Sequence, residues 1–312
     1  MTRDAGEKKI LLVALGGNAL IRKGQEGTAQ QQFENLKVPI RQIARLSRQY
    51  RIIITHGNGP QVGNLLLQQE SCSLVPRLPL EILVAQTQGQ IGYMIESSLD
   101  NQLMALGIYN KPLVSLISYV VVDENDPAFR TPTKPIGPVY TAKRAAAVPY
   151  PTRQTPKGWR RVVVSPKPVT IVEKREIGRL IALDFIVICC GGGGIPVVRE
   201  GRAFCGVDAV IDKDLASARL AEEVGVDLFL MATDEAGAML NYGRSDQALL
   251  REMSTSDARW YLRQGQFPAG SMGPKIEAAV QFVENRGKRA AICSIAEIEA
   301  AVQGKAGTQM VK

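Results

Sequence analysis

An α/β fold is the class this sequence predicts: a three-layer αβα sandwich with an open, mainly parallel sheet and a small inserted flap. Three observations predict it. Apolar, strand-like runs alternate with segments of helical period along most of the chain. The first run, Ile10 to Leu15, is continuously apolar, as a strand buried on both faces must be. One stretch, Asp123 to Pro168, breaks the rhythm, gathering prolines and basic residues around Trp159 without a sustained helical period. A segment of that length inside a compact domain is a functional loop or a small subdomain, and it is read as a flap of short strands and turns.

The elements follow in order. After the strand Ile10 to Leu15, a helix is expected from about Thr28, a good N-cap, because Phe33, Leu36, Ile40, Ile43 and Leu46 recur at helical spacing. Arg51 to Thr55 is the next strand. It runs into His56-Gly57-Asn58-Gly59-Pro60 and a helix carrying Val62, Leu65 and Leu66. A long helix covers about Glu81 to Leu106, and Leu113 to Val122 reads as one strand. Beyond the flap come a helix near Glu176 to Leu183 and the strand Phe185 to Cys190, which empties into Gly191 to Gly194. A helix follows Asp212, and the strand Asp227 to Ala232 leads to Thr233-Asp234. Helices over about Ser254 to Gln264 and Pro274 to Asn285, the strand Arg289 to Ser294 and a terminal helix close the pattern.

With 312 residues, the chain holds one large α/β unit or about two smaller ones. Its 45% hydrophobic and 22% charged content excludes a disordered chain. The net charge of +8 suits an anionic ligand without choosing among them. The densest basic stretch, Lys143 to Arg161 (Arg144, Arg153, Lys157, Arg160, Arg161), reads as a solvated face, as do Arg41, Arg45 and Arg48 on a helix. No nucleic-acid-binding motif accompanies either group. The five cysteines are odd in number and form no CxxC. With one histidine in the chain, a thiolate–imidazole metal site is poorly supported, and reduced thiols in a cytoplasmic protein are expected. Ile10 to Leu15 is too short for a signal peptide, and no run is long enough to cross a bilayer.

The candidate chemistry sits where three strands end in glycine-rich turns. These are Gly16-Gly17-Asn18, Gly57-Asn58-Gly59 and Gly191 to Gly194, with Gly192 and Gly193 at the centre of the third. Glycine lets backbone N–H groups approach an anion, and helix N-termini add favourable charge. Ligands of open α/β sheets bind beyond the carboxyl ends of the strands. The motifs of Walker-type phosphate loops and dinucleotide folds are both absent. Two lysines stand at helix starts, Lys213 in Asp212-Lys213-Asp214 and Lys275 in Gly270-Ser271-Met272-Gly273-Pro274-Lys275. The helix dipole disfavours a cation at both places, so a shared phosphate explains them better than coincidence. Phosphoryl transfer needs in-line positioning and positive charge rather than a general base, so His56 is assigned a structural, hydrogen-bonding role.

These segments resemble carbamate kinases of the amino-acid kinase superfamily over nearly the whole chain. The resemblance is carried by ALGGNAL at 14–20, THGNGPQVG at 55–63, QGQIGYM at 88–94 and DPAFRTPTKPIGPVY at 126–140. It continues through SPKPVTIVE at 165–173, GGGGIPVV at 191–198, VIDKDLAS at 210–217, ATDEAGAMLNYG at 232–243 and AGSMGPKIEAA at 269–279. Other branches share the glycine turns but lack PTKPIG and this DKD. Related acetylglutamate kinases carry a catalytic lysine where this chain has Ala14, which leaves that charge to Lys213. Two segments depart mildly from the family's usual wording: Glu235-Ala236-Gly237-Ala238 and the residues before QGQIGYM.

The resemblance implies an enzyme that passes a phosphoryl group between carbamoyl phosphate and ADP, mainly in the direction of ATP. It implies a carbamate or carbamoyl phosphate pocket lined by Gly16, Gly17, Asn18, Gly57, Asn58 and Gly59, and a flap lysine, Lys134, reaching the phosphoryl group. Lys213 and Lys275 would flank that group, with Asp214 organising them. Thr233, Asp234, Gly237, Tyr242, Met272 and Gly273, together with Lys275, would form the nucleotide site. It further implies a carbamate lobe over 1–225 with the flap at about 123–168, a nucleotide lobe over 226–312, Mg²⁺ held mainly by nucleotide phosphates, and a homodimer. Two other readings stay open: a close paralogue phosphorylating another small carboxylate, and a non-catalytic phosphate or nucleotide sensor. Loss of Lys213, Lys275 or Asp214 would favour the sensor, and all three are present.

Overall fold

The computed structural model describes residues 8–22, 24–155, 158–268 and 270–312; Lys157 of the basic stretch lies outside them. The first strand, β1 (Ile10–Leu15), is buried throughout. The helix α1 (Ala29–Leu46) starts at Thr28, whose hydroxyl accepts from the Gln31 N–H while the Gln31 side chain accepts from the Thr28 N–H. That reciprocal cap fixes the helix start that the spacing predicted. There follow β2 (Arg51–His56), α2 (Gly59–Ser71), α3 (Leu80–Ala105) and β3 (Leu113–Ser115). The chain then passes through β4 (Tyr119–Val122), β5 (Lys134–Tyr140), α4 (Ala142–Ala147), β6 (Thr152–Thr155), β7 (Gly158–Val163) and β8 (Pro168–Ile171). Beyond α5 (Lys174–Ala182) come β9 (Ile186–Ile188), β10 (Ile195–Glu200), β11 (Ala203–Gly206), α6 (Lys213–Val224) and β12 (Leu228–Thr233). The remainder comprises β13 (Met239–Leu240), β14 (Ala248–Leu249), β15 (Glu252–Ser254), α7 (Thr255–Arg263), α8 (Met272–Arg286), β16 (Arg289–Ser294), α9 (Ile298–Val302) and β17 (Thr308–Val311).

Eight strands form the main sheet in the order β15-β17-β16-β12-β1-β2-β9-β3. The six from β16 to β3 run parallel, and β17 joins β16 antiparallel. β1 is central, so its residues alternate between two cores. Leu11, Val13 and Leu15 pack with residues of α1, α3 and α9, while Ile10, Leu12 and Ala14 pack with residues of α5, α6 and α8. This is the three-layer sandwich predicted. A third cluster, including Val62, Leu83, Ile136 and Val163, joins α2 and α3 to the inserted segment.

Four features differ from the sequence reading. Leu113 to Val122 is two strands, because the chain turns at Ser118, whose N–H and carbonyl are both held by the Gln88 side chain. β4 therefore leaves the main sheet for a four-stranded one, β11-β10-β4-β8. The chain ends in a strand after the short helix α9, and β17 buries Thr308, Gln309 and Met310 against β16. The inserted segment contains the helix α4 beside its three-stranded sheet β5-β7-β6. Finally, the basic stretch is only partly a solvated face. Lys143, Arg144 and Arg153 are exposed, but Arg160 donates to the Gly137 carbonyl and Arg161 pairs with Glu70.

Phe229 in β12 is fully buried and meets Phe282 of α8 edge-to-face, with centroids 5.6 Å apart. Phe229→Ala is expected to destabilise the fold by about 3–5 kcal/mol, read as a lowered urea midpoint with an unchanged slope.

Candidate active site

β1, β2 and β9 lie side by side, so their three glycine turns meet at one edge of the sheet. The turns are locked together through the backbone. Gly16 N–H donates to the Ala232 carbonyl at 3.0 Å, and Gly57 N–H donates to the Leu15 carbonyl at 3.1 Å. A Cβ on Gly192 would stand 2.2 Å from the Asn58 amide, and Gly192 has φ +66°, so this position admits only glycine. Asn58 is buried, and its amide donates to Thr87 Oγ1 at 2.8 Å. The third turn packs on His56: a Cβ on Gly191 would lie 2.5 Å from the imidazole. His56 is fully buried, which with the nearby Lys213 charge lowers its pKa to about 4. It is a neutral ring at pH 7, in keeping with the structural role expected of it.

The charged centre stands at the starts of α6 and α8. Asp212 caps α6, its Oδ1 accepting from the Asp214 N–H at 2.9 Å. Lys213 donates to Asp214 Oδ1 at 2.5 Å, and Lys275, from the first turn of α8, donates to Asp214 Oδ2 at 2.7 Å. All three side chains are almost buried. Lys213 touches the cradle directly: a Cβ on Gly57 would lie 3.4 Å from Lys213 Cδ and 3.4 Å from the Gly17 nitrogen. Lys134, at the start of β5, forms an ion pair with Asp212 Oδ2. The inserted flap thus brings a third ammonium to the carboxylate that caps α6. Buried Ser217 fastens α6 to β2 by sharing a hydrogen bond with Thr55 at 2.7 Å.

Two lysines on one carboxylate leave a net positive charge inside the fold. Burial lowers the Lys213 pKa to about 8, and the Lys275 charge adds to that effect, while Asp214 opposes it. The Lys275 pKa is raised: burial acts to lower it, but the combined attraction of Asp214 and Asp212 outweighs that. Asp214 is held well below the carboxylate range, because its two lysines overcome the burial that would raise it. The arrangement concentrates buried positive charge beside the glycine turns.

The residues expected at a nucleotide site lie along the neighbouring strand ends. Thr233 closes β12 beside Gly16, whose added Cβ would lie 3.8 Å from the Thr233 Cα. Asp234 is exposed just beyond. Gly237 is buried against Thr308, which accepts from the Ala238 N–H at 2.8 Å. Tyr242 is exposed and donates to Glu235 at 2.6 Å. Met272 and buried Gly273 open α8 directly before Lys275. Asp212, whose carboxylate holds Lys134, was legible in the sequence only as a helix cap. The contacts of Glu70 and Ser118 left no signal there, since their partners are tens of residues away, and Gln88 stood out only as the first residue of QGQIGYM.

The Amino acid kinase family profile matches residues 9–294. A carbamate kinase of Thermococcus kodakarensis is 46% identical, over 97% of this chain and 99% of that protein. One of Haemophilus influenzae is 44% identical, over 97% and 96%. The crystal structure of the Giardia lamblia carbamate kinase bound to AMP-PNP is similar with a TM-score of 0.88 at 38% identity, covering 98% of this chain and 99% of that one. The chain belongs to the amino acid kinase family. Its full-length likeness is to the carbamate kinases within it.

Replacing Asp214 with Asn removes the charge that holds Lys213 protonated. The Lys213 pKa is then expected to fall further below about 8, followed by ¹⁵N NMR of the lysine Nζ. An unchanged titration would show that the carboxylate does not govern this charge.

Proposed function

We infer that the chain is a carbamate kinase, catalysing reversible phosphoryl transfer between carbamoyl phosphate and ADP. The observation that carries this reading is the buried Lys213–Asp214–Lys275 clamp beside the glycine turns. It is joined by full-length similarity to carbamate kinases.

The chemistry needs no general base. An oxygen of the ADP β-phosphate attacks phosphorus as the bond from phosphorus to the carbamoyl oxygen breaks, and carbamate leaves as an anion. Charge moves across the phosphoryl group, so fixed positive groups stabilise the transition state. Lys213 and Lys275 flank the group, Asp214 fixes their spacing, and Lys134 approaches from the flap. Gly16, Gly17, Asn18, Gly57, Asn58, Gly59, Gly192 and Gly193 line the carbamoyl end and leave space for it. Thr233, Asp234, Gly237, Tyr242, Met272 and Gly273 hold the nucleotide. Residues 1–225, with the flap at 123–168, form the carbamate lobe, and 226–312 form the nucleotide lobe, on one continuous sheet.

Mg²⁺ accompanies the nucleotide. No group of three or more His, Cys, Asp or Glu among the described residues could hold a metal, and both Asp212 and Asp214 are paired with lysines. On this reading the ion is held mainly by the nucleotide phosphates, where it neutralises their charge. No helix among the described residues is long and apolar enough to cross a membrane, and all five cysteines are free thiols. These features support a cytoplasmic enzyme, and the family resemblance supports a homodimer.

The test is ATP formation from carbamoyl phosphate, ADP and Mg²⁺, corrected for spontaneous carbamoyl phosphate breakdown. Lys213→Ala is expected to lower kcat by about 10²–10³, the loss of one well-placed donor. A folded, ADP-binding parent that makes no ATP would reject the reading.

A pH profile gives a second check. Lys213 is charged below its pKa of about 8, so kcat/KM should be maximal below that pH and fall as pH rises through it. Bound phosphate favours the ammonium, so kcat should fall at a higher pH than kcat/KM. A kcat/KM flat from pH 7 to 9 would argue against Lys213 as the responding charge.

A further inference from the structure

α2 leaves the Gly57-Asn58-Gly59 turn and carries the flap at its other end. Midway, Gly63 meets Gly137 of β5 backbone to backbone: a Cβ on Gly63 would lie 2.0 Å from the Gly137 Cα. Near the end of α2, Glu70 reaches the flap with both carboxylate oxygens. Arg161 Nη1 donates to Oε1 at 2.7 Å, and the Tyr150 hydroxyl donates to Oε2 at 3.3 Å. The Arg161 guanidinium stacks 4.2 Å from the centroid of the Tyr150 ring, and the Tyr150 and Tyr140 hydroxyls are 3.0 Å apart. Burial, the Tyr140 hydroxyl and the Glu70 carboxylate raise the Tyr150 pKa, which keeps its phenol a donor. Between these contacts Val62 and Leu83 pack with Ile136 and Val163, and a cavity of about 10 Å³ lies among Gly63, Leu66, Ile136 and Glu70.

The register of the flap links this cluster to the lysine. Lys134 stands opposite Val163 in the β5–β7 ladder, and Arg161 stands opposite Ile136, two residues along. Arg161 and Lys134 therefore sit two ladder positions apart on hydrogen-bonded strands. α2 itself starts at the cradle. Glu70 thus ties the flap to an element whose first turn is part of the substrate pocket.

We propose that Glu70 is a positioning residue for the reaction: by holding Arg161 and Tyr150 to α2, it sets the flap so that Lys134 stands beside Asp212 and the transferring phosphoryl group. This rests on the kinase reading above. Glu70 touches no substrate and acts only through Lys134.

A double-mutant cycle in the ATP-forming assay separates this role from a structural one. Glu70→Gln and Glu70→Ala are each combined with Lys134→Ala, with folding checked by circular dichroism. A charge-assisted hydrogen bond sets the scale, so each Glu70 variant is expected to lose about ten- to a hundredfold in kcat/KM for carbamoyl phosphate. The KM for ADP should be unchanged. In the Lys134→Ala background the same Glu70 changes should cost almost nothing more. Equal losses in both backgrounds, or a matching rise in the ADP KM, would overturn the proposal and leave Glu70 a structural residue. Should Glu70→Ala fail to fold, Glu70→Gln preserves the shape of the side chain and decides the question. Full activity of Lys134→Ala would overturn this proposal and the assigned role of the flap lysine, whereas a parent without ATP formation would instead reject the kinase reading.

Discussion

One carboxylate between two ammonium groups governs this molecule. Asp214 is buried with Lys213 and Lys275, and neither lysine would tolerate the site without it. Two unpaired cations at the positive ends of two helices would repel each other and both dipoles. With Asp214 present, the three side chains carry one net positive charge, small enough to bury. Geometry follows from that charge count. α6 and α8 must start side by side beyond the sheet, which β12 and β16 achieve by pairing parallel next to β1. Ser217 and Thr55 then fix α6 against β2.

The glycine turns answer the same constraint on the other side. A cation site is useful only if the substrate reaches it closely, and side chains on these turns would keep it away. Gly57 shows how little room there is, since its missing Cβ position lies 3.4 Å from both Lys213 and the Gly17 backbone. Gly191, Gly192 and Gly193 are needed for packing as well. Their empty Cβ positions are filled by His56, Asn58 and the Ile211 carbonyl. The third turn is therefore packing that holds the second one rigid, and His56 belongs to that packing.

Much of this was legible in the sequence, and the reason is local. Continuous apolar runs mark β1, β2 and β12, helical spacing marks α1, and Thr28 marks where α1 begins. Lys213 and Lys275 stood out because each contradicts the dipole of its own helix. What the sequence hid was decided at long range. The break at Ser118 depends on Gln88, thirty residues away. β17 looked like a continuation of terminal helix, yet its place is set by an open edge of β16. The basic stretch was read as solvated because Glu70, which takes Arg161, lies 91 residues earlier.

The flap shows why such long-range ties matter to chemistry. Lys134 is less buried than Lys213 and Lys275, with its side chain 30% exposed, against 11% and 10%. Its partner is Asp212, a carboxylate already capping α6, rather than Asp214. The three lysines therefore differ in what fixes them. Two are set by the core, while the third is set by a small sheet attached through a glycine–glycine contact, polar side chains and the apolar cluster of Val62, Leu83, Ile136 and Val163. A site that must admit a dianionic substrate and then surround it with charge gains from this division. On the proposed reading the buried pair supplies fixed positive charge, and the flap adds a lysine whose position depends on how the flap is attached.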